Sequence, residues 1–142
     1  MLVALLPSQV RDYWSLMKKD IEDSMPPIAD WGPYDLNNLL YSMMVGMMQV
    51  WLVNDQEQKT KGFVTTVILR DVSGVSTLLI YNVIALENAP INLWSDGYGT
   101  LKAYALSKGC SKIGAFVQNE KILLLLGEQD FETRFIFAHK NL

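Results

Sequence analysis

The sequence predicts an α/β protein in which a mixed sheet carries helices on both faces, organised as a single domain over residues 1–142. Three observations predict it. Apolar residues recur at two periods, every second residue in some stretches and every third or fourth in others, which are the repeats of strand and helix. Half of the chain is apolar, enough for one continuous core. The early strand-like stretches are joined by short turns and the later ones by helical stretches, so hairpins come first and β-α-β units follow.

Each element has its own local reason. Leu2 to Leu6 reads as a short strand, after which Pro7-Ser8 gives a stop and a hydroxyl that can cap a helix. Val10, Tyr13, Trp14, Met17 and Ile21 then fall at helical spacing, with Arg11, Lys18, Lys19 and Glu22 on the other side. Pro26-Pro27 ends that helix, and residues up to Pro33 read as an irregular loop. Asp35 is the expected cap of a second helix through Leu36, Leu39, Leu40, Met43 and Met44, closed by Gly46, a residue type that tolerates positive φ.

Met48 to Val53 is the next strand, followed by a polar turn from Asn54 to Lys61. Gly62 to Arg70 is rich in β-branched residues and pairs as a hairpin with Thr77 to Leu86 across the turn Asp71-Val72-Ser73-Gly74. A third helix begins between Asn88 and Gly99 and stops at Lys108-Gly109. The spacing of Leu93, Leu101, Tyr104 and Ala105 extends it from Leu93 to Lys108. Lys112 to Val117 reads as a strand, Asn119 to Gly127 as a short helix, and Phe131 to Ala138 as a last strand. The expected order is β-α-α-β-β-β-α-β-α-β.

Composition removes several function classes. The net charge is −3, which gives no electrostatic pull toward nucleic acid or anionic lipid. Residues 1–99 carry −5 and residues 100–142 carry +2, a small surplus that suits either a solvated face or the neighbourhood of a phosphorylated cofactor. Cys110 is the only cysteine, so an intramolecular disulfide is excluded and a reducing compartment is expected. One cysteine and one histidine, His139, also exclude a Cys/His zinc cluster. The run Met1 to Leu6 lacks a basic flank and stops at Pro7, unlike a signal peptide. The stretch Leu36 to Asn54 carries no charge, but Asn37, Asn38, Ser42, Gly46 and Gln49 and its change of period make it a buried helix and strand, not a membrane span. Met43, Met44, Met47 and Met48 are expected in the core, as are Trp14, Trp31 and Trp51 as packing residues.

The order of elements is similar to that of the N-acetyltransferase superfamily known as GNAT. "LLPSQVRDYWSLM" resembles its first strand and helix, "LLYSMMVGMMQVWLVND" its second helix and strand, and "TLKAYALSKGCSKIGAFV" its third helix, glycine stop and fifth strand. Within that superfamily the chain most resembles the small GNAT-like proteins of tailed bacteriophages. Those carry a similar helix–Gly–strand segment, here ending Met48-Gln49-Val50-Trp51. They also share the pattern that Trp94, Leu101, Ala105, Gly109-Cys110 and Ile113 form here. Some proteins of that kind are virion components and not enzymes.

The resemblance implies a set of site residues that this chain meets only in part. A Q/R-x-x-G-x-G/A loop should bind the cofactor pyrophosphate through backbone amides and a helix N-terminus. Its best match is Trp94-Ser95-Asp96-Gly97-Tyr98-Gly99, which keeps Gly97 and Gly99 but has Trp94 for the Gln/Arg and an added negative charge at Asp96. The alternative is that both glycines lie inside the third helix. A tyrosine of the fourth helix should protonate the leaving thiolate in the pattern N-x-x-A-x-x-L-Y-x-x-x-G-F. Asn119 and Leu125 match it, Leu126 falls in the tyrosine's place, and Asp130-Phe131 replaces Gly-Phe. Leucine cannot donate a proton. For a general base, Glu87 at the end of the fourth strand is the one carboxylate well placed.

The expectation is therefore a GNAT fold with eroded cofactor and catalytic motifs: no bound cofactor, and other protein chains as partners, with a viral assembly among them. The place of action is then the host cytoplasm or the virion. Trp31, Tyr34, Trp14 and Tyr13, in or beside the segment after the first helix, are the candidate interface residues. The alternative is an N-acetyltransferase that uses acetyl-CoA with an atypical pyrophosphate loop.

Overall fold

The computed structural model describes the chain except residues 27–34, 87–90, 118–119, 135–137 and 141, and except the side chains of Ile91, Lys121 and Leu125. Its elements are β1 (Leu2–Ala4), α1 (Val10–Asp23), α2 (Leu36–Met44), β2 (Met48–Asn54), β3 (Thr60–Arg70), β4 (Ser76–Ala85), α3 (Ile91–Ser107), β5 (Lys112–Ala115) and α4 (Glu120–Glu128). The sheet runs β1-β2-β3-β4-β5, antiparallel from β1 to β4 and parallel between β4 and β5. This matches the expected mixed sheet.

The period of two in β2 explains why the sheet has a core on each side. Val50 and Leu52 point one way and join Val10, Met17 and Ile21 of α1, Met43 of α2, and Phe63 and Ile84. Trp51 and Val53 point the other way and join Leu2, Val64, Leu78, Ile80 and the α3 residues Leu101 and Ala105. A strand covered on both faces reads as a continuous apolar run, as β2 does. Burying each such side chain contributes about 1.5–3 kcal/mol relative to leaving it in water. Trp51 also has its polar end satisfied: Nε1 donates to Thr66 Oγ1 at 2.9 Å while the ring meets Tyr104 edge-on at 5.0 Å.

Local chemistry places the turns. The Asp35 side chain accepts from the Asn37 amide at 2.8 Å, capping α2 as expected. Gly46 follows with φ +78, a conformation that L side chains rarely adopt, so the chain can leave α2 and enter β2 at once. Gly62 answers a different need: a Cβ there would sit 2.3 Å from the Ile84 carbonyl oxygen. Only glycine lets β3 approach β4 so closely at that point.

Three expectations are corrected. Ser8 does not cap α1. It lies in a 3-10 turn, Pro7–Gln9, in which the Gln9 side chain accepts from the Leu6 amide at 2.9 Å, because Pro7 begins the turn one step earlier. Met43 and Met48 are core, but Met44 and Met47 are exposed. Adjacent helical residues lie about 100° apart, so Met43 and Met44 cannot both face the sheet. Of the expected last strand, Phe131 to Arg134 and Ala138 are outside any strand, and 135–137 lie outside the described residues.

Candidate functional site

The sheet opens at a defined point. Between β3 and β4 the register moves from Thr65↔Asn82 to Thr66↔Ile80, which leaves Tyr81 as an extra residue, a β-bulge. On the other edge of β4, pairing with β5 runs from Thr77↔Lys112 to Ile80↔Ala115 and ends there. From Tyr81 to Ala85, β4 continues after β5 has stopped. That unpaired edge of β4 lies beyond the carboxyl end of β5, and the carboxyl ends of parallel strands are where α/β sheets form ligand crevices.

Buried hydrogen bonds hold the bulge. Thr65 Oγ1 donates to Asn82 Oδ1 at 2.8 Å and accepts from the Asn82 amide at 3.1 Å. Asn82 Nδ2 donates to the Ser24 carbonyl at 2.7 Å, which ties the end of α1 to the middle of β4. Tyr81 is half-buried against the core on the α1 side, and burial pushes its phenol above the usual tyrosine range. It stays protonated at neutral pH.

The glycines of the pyrophosphate motif are not in a loop. α3 begins at Ile91, so Gly97 and Gly99 lie in its second and third turns, where an amide donates to the carbonyl four residues back. Gly97 is buried beside β1: a Cβ there would lie 3.8 Å from the Leu2 side chain. Gly99 is exposed with nothing within 4 Å. Trp94, in the motif's first position, is half-buried, and its ring comes within 3.4 Å of where a Gly62 Cβ would be. Asp96 is exposed beside the two glycines. These residues do not fit a bound pyrophosphate: their amides are spent in the helix, and the one charged group among them has the wrong sign.

A cleft of about 880 Å³ lies between α3, β5, α4 and the segment after α4. Leu126 lines it, so the position that should carry the proton-donating tyrosine presents a methyl surface. Lys102 and Lys112 bring positive charge to it and Asp130 and Glu132 negative charge, while Arg134 pairs with Glu132 at 2.7 Å. Tyr98 of α3 meets Phe131 edge-on at 5.9 Å across the cleft. No spacing in the sequence announces this cleft, because it depends on where α4 lies.

The remaining candidates are dispersed. Glu87, Trp31 and Tyr34 fall outside the described residues. Tyr13 and Trp14 are half-buried and pack against the core beneath α1. Cys110 is a buried free thiol, and His139 is exposed near the C-terminus. Among the described residues no group of His, Cys, Asp and Glu could hold a metal ion, and no helix is long and apolar enough to cross a membrane.

Arrangement and topology together define a GNAT-type acyl-CoA N-acyltransferase fold: two helices on one face, a third on the other, and a fifth strand that pairs in parallel with only the first half of the fourth. Solved structures agree. The chain is similar to a ribosomal-protein-alanine N-acetyltransferase of Brucella melitensis biovar Abortus 2308 (TM-score 0.70, 11% identity, 100% of this chain and 99% of that one). It is similar to an aminoglycoside acetyltransferase from an uncultured soil metagenomic sample (TM-score 0.71, 13% identity, 100% and 96%). It also resembles an acetyltransferase of Trypanosoma brucei (TM-score 0.66, 17% identity, 100% and 99%). Identities this low carry the fold and nothing finer. No family model and no curated protein matches the sequence.

Proposed function

We propose that this chain is a GNAT-fold protein that does not transfer acetyl groups and serves as a binding or structural module for other protein chains. One observation carries the reading: Gly97 and Gly99 lie inside α3, so the amides that would grip a pyrophosphate are already bonded. Leu126 at the acid position supports it, since a side chain without a proton cannot protonate a thiolate. The resemblance read from short segments such as Met48-Gln49-Val50-Trp51 extends the proposal to a phage virion or accessory component, acting in the host cytoplasm or the assembled particle. Trp31 and Tyr34 remain part of the proposed contact surface.

The bulge at Tyr81 and the end of β5 pairing at Ala115, which leave the edge of β4 open from Tyr81 to Ala85, favour a second reading, an N-acetyltransferase that binds acetyl-CoA without the usual loop. An assay separates the two. Release of free thiol from acetyl-CoA is followed in the presence of primary amines and of N-terminal peptides. The proposed function predicts a rate equal to the protein-free blank. A rate that rises in proportion to protein concentration supports the enzyme.

A further inference from the structure

We infer that the open edge of β4, at Val83 and Ala85, binds an extended, uncharged peptide segment of a partner protein, which adds to the sheet as a short strand in line with β5. The backbone fixes which groups face that edge. The Leu86 amide donates to the Lys61 carbonyl at 3.0 Å, so Leu86 turns its N–H and C=O toward β3. By the alternation of an antiparallel pair, Ile84 does the same, and Val83 and Ala85 turn theirs the other way, to the side where β5 runs. β5 pairs only as far as Ile80↔Ala115. Among the described residues no hydrogen bond reaches the N–H or C=O of Val83 or Ala85.

That pattern selects the occupant. Donors and acceptors that alternate along one edge at a two-residue repeat are complemented by another polypeptide backbone, which is how an extended peptide adds to a sheet. A segment of about five residues, at roughly 3.3 Å each, spans the stretch from Tyr81 to Ala85. Side chains set its character. Val83 is 36% exposed and stands opposite Val64 of the α3-side core, while Asn82 and Ile84 on either side of it are buried. The Trp94 ring comes within 3.4 Å of where a Cβ of Gly62 would be, and Gly62 is the cross-strand neighbour of Ala85, so apolar surface walls the edge on the α3 side. Residues 72–86 hold no charge and no proline, two devices that commonly keep a strand edge from pairing. An incoming segment meets backbone groups along its length and apolar side chains on one face, with nothing to pair a charge.

This inference rests on the proposed role in protein contact and names the kind of segment a partner presents. The test is amide hydrogen exchange and chemical-shift titration by NMR on the isotope-labelled protein. In the free protein the Val83 and Ala85 amides should exchange at close to the unprotected rate, while the Ile84 amide exchanges slowly. The probe is an acetylated and amidated pentapeptide of alternating threonine and valine. It should shift the Val83 and Ala85 resonances and slow their exchange. The same peptide with every backbone amide methylated should bind at least about tenfold more weakly. Val83→Pro removes an N–H that β3 does not use, so it should weaken the unmethylated peptide to the same degree and leave the Ile84 amide slow. Val83 and Ala85 amides protected in the free protein overturn the inference, because the chain then covers its own edge. Equal binding of the two peptides, or full affinity in Val83→Pro, overturns it too. Acetyl-CoA that shifts these amides contradicts the proposed role and leaves the peptide result standing. If neither peptide nor acetyl-CoA shifts them, the inference falls and the role remains.

Discussion

Asn82 sits beside the bulge between β3 and β4 and carries its buried hydrogen bonds. It is nearly fully buried, and its amide group satisfies Thr65 on one side and Ser24 on the other. Replacing it with alanine keeps the backbone amide's bond to Thr65. It removes the acceptor of the buried Thr65 hydroxyl and the donor to the half-buried Ser24 carbonyl, and a buried polar group left unmatched costs about 1–3 kcal/mol. Asn82→Ala is therefore expected to lower the unfolding free energy by at least about 1 kcal/mol, read from the midpoint of a urea titration. A loss below about 0.5 kcal/mol would show that the bulge does not depend on these bonds. None of this was legible in the sequence. An asparagine in a run of Leu, Ile, Tyr and Val looks like a polar residue on an open face, and its partners lie 17 and 58 residues away.

At the scale of elements, α3 separates the two functional readings. Gly99 has no neighbour near its missing Cβ and adopts helical backbone, so alanine fits without strain. In an exposed helix interior that change stabilises by about 0.5–1 kcal/mol, largely by restricting the unfolded chain. Gly99→Ala should thus shift the urea midpoint upward. A downward shift would mean that position 99 is not helical in solution, which would restore the loop expected of a cofactor site. The spacing of Leu93, Leu101, Tyr104 and Ala105 predicted this helix, and the glycines did not break it. Helical amides are satisfied internally, so glycine weakens a helix without forbidding it. Other elements were legible for equally local reasons: Asp35 capped its helix and Gly46 and Gly109 took positive φ. The last strand was less so. Its β-branched and aromatic content is a preference for any half-buried surface, and Phe131 satisfies it by packing on Tyr98.

For the whole molecule, the fold was legible and the site only by subtraction. Two hydrophobic periods in a fixed order sufficed for a mixed sheet with a core on each face. That Leu126 stands where the resemblance implies a tyrosine, and that Gly97 and Gly99 fall within helical spacing, was readable because each rests on residue identity or local period. What the chain has instead was not. The cleft bounded by α4 arises from the meeting of distant segments, and no local pattern records it.

The central claim is that this GNAT fold does without its cofactor, and a thermal scan in millimolar acetyl-CoA tests it most directly. A ligand present at a hundred times its Kd stabilises a fold by about 2.7 kcal/mol, which moves the melting temperature of a chain this size by several degrees. The account predicts a melting temperature unchanged from the ligand-free protein. A reproducible, concentration-dependent rise of a few degrees would contradict it.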